Sequence, residues 1–158
     1  MMKKILYAAC IAVLFSCSGN MKKTADGKNV NMKDSLRIES GLGEVEERQY
    51  RGILPAADCE GIKYQLTLWN QQHSGDGVFD LDMTYLGVKD RQDTTFYSYG
   101  HWVTLKGRPG DESVIYQLHP DASEGDVNFL FRGDSLIMLG SNMQPAESTL
   151  NYTLRRAR

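Results

Sequence analysis

An all-β domain is what this sequence predicts: an antiparallel meander of roughly eight short strands that closes into a small barrel. Three observations carry that expectation. From Gln49 onward, apolar residues recur at every second position, the period of a strand with one face on a core and one in water. Clusters of Gly, Pro, Asp, Asn and Ser separate these runs at near-regular spacing. No amphipathic helical period interrupts them. Closure removes the edges that an open sheet would expose, and a two-sheet sandwich is the alternative arrangement of the same strands.

Each strand has its own signature. Residues 50–54 open the series. In 62–68, Ile62, Tyr64, Leu66 and Leu68 alternate with Lys63, Gln65 and Thr67. In 79–85, Phe79, Leu81, Met83 and Tyr85 face inward and Asp80, Asp82 and Thr84 outward, and His73-Ser74-Gly75-Asp76-Gly77 between the two runs has hairpin-loop chemistry. Residues 95–105 carry aromatics on both parities, Phe96 and Trp102 against Tyr97 and Tyr99, so a bulge near Gly100 is expected to shift the phase. Shorter strands follow at 114–118, 128–131, 136–139 and 150–154. Their separators are Arg108-Pro109-Gly110-Asp111, His119-Pro120-Asp121, Gly133-Asp134 and Gly140-Ser141-Asn142.

Ahead of this domain lies an export signal. Lys3 and Lys4 precede an apolar run over residues 5–15 that is too short to span a bilayer and ends in Leu14-Phe15-Ser16-Cys17. Leu at −3, Ser at −1 and Cys at +1 match a bacterial lipobox, so residues 1–16 read as a lipoprotein signal peptide and Cys17 as the acylated N-terminus of the mature chain. Acyl chains buried at about 0.8 kcal/mol per methylene make such an anchor effectively permanent. Cys10 sits in the middle of the apolar run and leaves too little of it upstream to be the acceptor. Residues 17–43 are rich in Lys, Asn, Ser, Gly and Asp and read as the lipidated cysteine and a flexible, disordered tether. Lys22, Lys23, Lys28 and Lys33 could touch anionic head groups, and Leu36, Ile38 and Leu42 hint at a short piece docking on the domain, which spans residues 44–158.

The formal charge of −2 carries no signature of nucleic-acid binding. With Cys10 lost in the signal and Cys17 lipidated, Cys59 stands alone in an oxidising compartment, where it is a buried residue, a metal ligand or a link to another chain.

Residues 50–62, Tyr-Arg-Gly-Ile-Leu-Pro-Ala-Ala-Asp-Cys-Glu-Gly-Ile, run from a strand through a Pro-started turn into the next strand. Here the chain resembles the N-terminal domain of the NlpE family of envelope lipoproteins, tied to copper resistance and surface sensing, whose members carry Y-x-G-x-L-P-C-A-D-C-x-G-I at this place. Tyr85-Leu86-Gly87, Gly100-His101-Trp102 and Asn151-Tyr152-Thr153-Leu154 extend the resemblance from about residue 47 to 155. It implies a lipocalin-like β-barrel on a lipid anchor. One departure matters: Ala56 occupies the place of the family's first motif cysteine and Cys59 that of the second. Two thiolates at C-x-x-C spacing converge on a soft metal such as Cu(I), and a lone one does not. Cys59 is therefore the one candidate metal ligand in the turn, and a copper site would need recruits from Met138, Met143, His101 and His119. Two-domain members carry a further C-terminal β domain with its own cysteine pair; a single domain is expected here, so redox sensing through that pair is not carried over.

No catalytic residue is put forward. Asp80 and Asp82 have the spacing that a solvent-facing strand gives without any catalytic role, Ser74, Ser98 and Ser135 lack a partner base, and Arg132-Gly133-Asp134-Ser135 reads as a hairpin turn. The reading is a non-enzymatic lipoprotein, held in the membrane through its N-terminal lipid at the periplasmic face of the outer membrane, that serves copper tolerance or envelope-stress and surface sensing by binding an envelope protein or a metal. Ser18 at +2 suits outer-membrane sorting. Two alternatives are a carrier whose Tyr64, Phe79, Tyr85, Trp102 and Tyr116 line a cavity for an apolar ligand, and an inhibitor of a cell-wall-degrading enzyme.

Overall fold

The computed structural model describes residues 31–88, 92–107, 112–121 and 125–158. Eight antiparallel strands, β1 Val45–Leu54, β2 Gly61–Gln71, β3 Asp76–Leu86, β4 Thr94–Lys106, β5 Val114–Pro120, β6 Val127–Arg132, β7 Ser135–Met138 and β8 Thr153–Arg156, follow one another around a closed barrel. The ring closes where Tyr50 and Arg51 of β1 pair with Arg156 and Arg155 of β8. A Cβ on Gly52 would sit 2.7 Å from the Thr153 carbonyl oxygen, so the bare glycine backbone lets β8 come this close.

Alternation does what the sequence predicts for the interior. Tyr50 and Leu54 from β1, Leu66 and Leu68 from β2, Phe79 and Leu81 from β3, Trp102 from β4, Tyr116 and Leu118 from β5, Phe129 from β6, Leu136 from β7 and Leu154 from β8 form one buried cluster. Each strand contributes one or two residues of a single parity, which is how a small barrel fills itself with side chains. Gly77, opposite Trp102 across the β3–β4 ladder, is needed for this packing, because a Cβ there would strike the Trp69 carbonyl oxygen and lie 2.8 Å from the Trp102 indole nitrogen.

Three expectations change. No bulge forms at Gly100: the β3–β4 register runs unbroken from Asp76↔Val103 to Tyr85↔Thr94 and the β4–β5 register from Gly100↔Pro120 to Lys106↔Val114. Phase is kept because Tyr97 and Tyr99 stay outside, where a phenol tolerates water. The last strand is Thr153–Arg156 rather than 150–154, and Leu150 is exposed in the preceding loop. Residues 31–43, read as the end of the tether, lie against the barrel. A 3-10 turn at Met32–Ser35 sets Met32 on Trp69 and Val78, cross-strand neighbours on the outer face of β2 and β3, with Leu36 packed beside them. Gln71 clasps the rest: its amide oxygen accepts from Glu39 N at 2.7 Å, and its amide nitrogen donates to the carbonyls of Glu39 at 2.9 Å and Gly43 at 2.8 Å.

Candidate functional site

The β1–β2 turn carries the residues singled out for chemistry. Glu60 N donates to the Leu86 carbonyl at 3.0 Å and the Asn151 amide donates to the Ile53 carbonyl at 3.1 Å, tying the turn to β3 and to the approach of β8. Within it the free Cys59 thiol is half-buried and donates to the Gly61 carbonyl at 3.3 Å. Ala56, also half-buried, offers only a methyl group. Among the described residues no group of three His, Cys, Asp or Glu side chains is placed to hold a metal ion.

The proposed recruits lie elsewhere in the fold. Met138 is in β7 with its side chain against the inner core, and Met143 occupies the loop after β7, where its N–H donates to the Gly140 carbonyl at 2.9 Å. His101 and His119 are direct register partners across β4 and β5 and therefore share the outer face. His119, expected in a turn, is in β5, and its Nδ1 lies 2.8 Å from an Asp126 carboxylate oxygen. Sequence spacing gave no chelating relation between these two histidines, since the connection between β4 and β5 sets their register. His101 also lines a cavity of about 270 Å³ between residues 35–42 and the β2–β3 end, together with Leu36, Gln71 and Asp76.

The chemically richest arrangement was not legible in the sequence. Arg48 of β1 points into the barrel, with its guanidinium carbon 5.4 Å from the Trp102 ring centroid and 5.3 Å from that of Tyr116. Its Nη1 donates to the Tyr116 hydroxyl and its Nη2 to Asn70 Oδ1, both at 2.8 Å. Tyr116 in turn stacks on Phe131 at 5.1 Å, and the Trp102 indole N–H donates to the Trp69 carbonyl at 3.3 Å. A cation held over two aromatic faces is stabilised by their negative quadrupoles, worth about 2 kcal/mol when desolvated. Arg48 Nε and the Tyr50 hydroxyl are buried with no hydrogen-bond partner among the described residues. Burial, only partly offset by the nearby Arg48 charge, pushes the Tyr50 phenol above its ordinary range, and burial does the same to Tyr64.

The acidic pair on β3 differs from expectation. Asp80 is only 9% exposed rather than solvated, and both Asp80 and Asp82 are engaged in interactions of their own. Their outer-face register partners are Tyr99 and Tyr97. Ser98 is buried at 7% exposure. Arg132 and Ser135 pair across a tight β6–β7 turn, as the hairpin reading predicts. Of the aromatics put forward as cavity lining, Phe79, Trp102 and Tyr116 are buried in the core cluster, while Tyr64 and Tyr85 sit half-buried toward the β1–β2 turn end. The acylation expected at Cys17 lies outside the described residues.

A closed eight-stranded meander, filled by its own side chains and opening on a Pro-started cysteine turn, defines a small all-β barrel module and excludes the sandwich arrangement. The family model described as the NlpE N-terminal domain matches residues 50–149, and the chain belongs to that family. It is 36% identical over 111 residues to Lipoprotein NlpE of Escherichia coli (strain K12), an alignment covering 70% of this chain and 41% of that relative. The chain thus spans less than half the length of the curated relative it matches. No solved structure matches significantly.

Proposed function

We propose that this chain is a non-enzymatic envelope lipoprotein, anchored through acylated Cys17, that acts in envelope-stress or surface sensing by binding a protein partner on the outside of its barrel. The observation that carries this reading is the interior. Trp102, Tyr50, Phe79, Phe129 and six leucines are fully buried within one inner cluster, so the side chains themselves fill the space a carried ligand would take. Recognition then falls to the outer face, the turns and the edges. Membership of a family with a lipoprotein relative agrees with the lipobox at residues 14–17. Ser18 suits retention at the outer membrane, with the barrel on the periplasmic side.

Copper enters this reading only through Cys59. Ala56 supplies no second thiolate, so tight Cu(I) binding would need ligands that the turn itself lacks. Two experiments separate the cases. Deleting the gene and overproducing the protein should both change the output of an envelope-stress reporter, and an unchanged reporter in both strains sinks the sensing role. Titration of the full chain with Cu(I) against a competing chelator should show no tight one-to-one site, whereas such a site, lost in Cys59→Ser, would make copper handling the function.

A further inference from the structure

Among the described residues, the segment 32–43 is held to the barrel at two places. At the far end its 3-10 turn lays Met32, 3% exposed, over Trp69 and Val78. At the near end Gln71 bonds the backbone of Glu39 and Gly43, and His73 N donates to the Leu42 carbonyl at 2.9 Å. Between these points the chain arches over the cavity of about 270 Å³ that Leu36, Leu42, Gln71, Val78 and His101 help to line, so the middle of the segment stands off the strands. Ile38 there is 61% exposed, and the Arg37 side chain 89%.

The barrel interior does not depend on this cover. The inner cluster is drawn from β1 to β8 alone, and Met32, Trp69 and Val78 form a separate cluster outside it. Lifting the segment therefore leaves the interior and the strand ladders in place, and bares three or so apolar side chains and a few backbone groups that water can satisfy. A unit with so few buried contacts opens at a lower free energy than the body it rests on. A hinge stands where the segment would turn. Gly41 and Gly43, with φ of 90° and 80°, hold the left-handed conformation that glycine adopts freely, between the segment and β1.

We propose that residues 32–43 form a releasable strap that sets how far the barrel stands from its lipid anchor. A pull on the N-terminal side of the chain reaches Met32 first and the Gln71 clasp last, so the strap comes away from one end, contact by contact. With the strap down, the chain from Cys17 to Met32 extends at most about 50 Å, and with it up the chain from Cys17 to Val45 extends about 95 Å. Release thus nearly doubles the greatest distance at which the barrel surface can meet a partner standing away from the membrane, and it uncovers Trp69 and Val78. The reach rests on the acylation of Cys17 in the reading above; the release does not.

Two measurements on the full chain test the two parts. Amide hydrogen exchange in detergent reads the release: the Glu39 and His73 amides, both bonded across the strap, should be protected at least 100-fold less than the Leu68 amide in the middle of β2. Protection equal to that of Leu68 overturns the proposal, because the strap would then leave only when the barrel unfolds. Neutron reflectometry on a bilayer of phosphatidylethanolamine and phosphatidylglycerol reads the reach. Met32→Asp, which sets a carboxylate against Trp69 and Val78, should move the barrel outward by about 8 Å, the gain in coil dimension from the freed residues, and Ile38→Asp on the exposed middle should not. An unmoved barrel in a Met32→Asp chain shown to be folded by circular dichroism contradicts the reach. A wild-type chain that does not stay on the bilayer counts against the anchored reading instead, and the exchange result then decides the strap.

Discussion

The β1–β3 side of the barrel and the β6–β8 side are built to different standards. β1 and β2 pair along their whole lengths, from Val45↔Gln71 to Leu54↔Ile62, and β2 and β3 nearly so. Across the barrel, β7 meets β8 only from Ser135↔Arg155 to Ile137↔Thr153, and β8 meets β1 only at two positions. The first side is also buried on both faces, since Met32 and Leu36 cover Trp69 and Val78 from outside while Leu68 and Phe79 pack within. Closure of a barrel therefore does not need uniform walls. One thick side holds the register, and the thin side completes the ring around a shared core.

The largest effect should come from the shared core, where both sides depend on the same side chains. Trp102→Ala removes the filler behind Gly77 and one of the two rings under Arg48, so denaturant unfolding should show a loss of about 3–5 kcal/mol. A loss below about 1 kcal/mol would mean that the interior is looser than the packing indicates. On the thick side alone, Met32→Ala should cost about 2–5 kcal/mol, the range for buried Met-to-Ala changes, if residues 31–43 belong to the folded unit. No change in unfolding midpoint would return that segment to a tether.

Amide hydrogen exchange sharpens the contrast between the sides. Amides in the middle of β2 and β3 should exchange only through global opening, and those of β8 through local opening at a much lower free energy. Uniform protection around the ring would contradict the difference. The smallest effect is electrostatic. The Trp69 indole N–H donates to Glu47 Oε2 at 2.9 Å, and with the Gln49 amide at 2.8 Å it holds the Glu47 carboxyl below its usual range. A lowered folded pKa gives stability that is present above the unfolded value, about 4.3, and is lost as pH falls through the folded one. Wild type should therefore lose stability over that acidic interval slightly more steeply than Glu47→Gln, followed by urea midpoints and Trp69 emission. Identical pH profiles would show that the exposed pair contributes nothing measurable.

Much of this was readable in advance, and the exceptions share a cause. Strands announced themselves because period-two alternation is a local property: Leu66 and Leu68, Phe79 and Leu81, and Leu118 fall inside as their spacing requires. The first turn could be read because Pro55, Cys59 and Gly61 stand close together in sequence. Arg48, Trp102 and Tyr116 meet only once β1, β4 and β5 have curved around a common interior, and no spacing along the chain encodes that meeting. The same holds for His101 opposite His119. Leu36, Ile38 and Leu42 hint at a docking piece, but the burial of Met32 has no signal in its spacing, because its partners Trp69 and Val78 lie far along the chain.

On the proposed reading, the barrel is full and the protein works through its surface. It is tested most directly by titrating the full chain with an apolar fluorescent probe and with a medium-chain fatty acid, following Trp102 emission and the unfolding temperature. Neither signal should change saturably. Saturable binding that quenches Trp102 and raises the unfolding temperature with ligand concentration would contradict it and make the barrel a carrier.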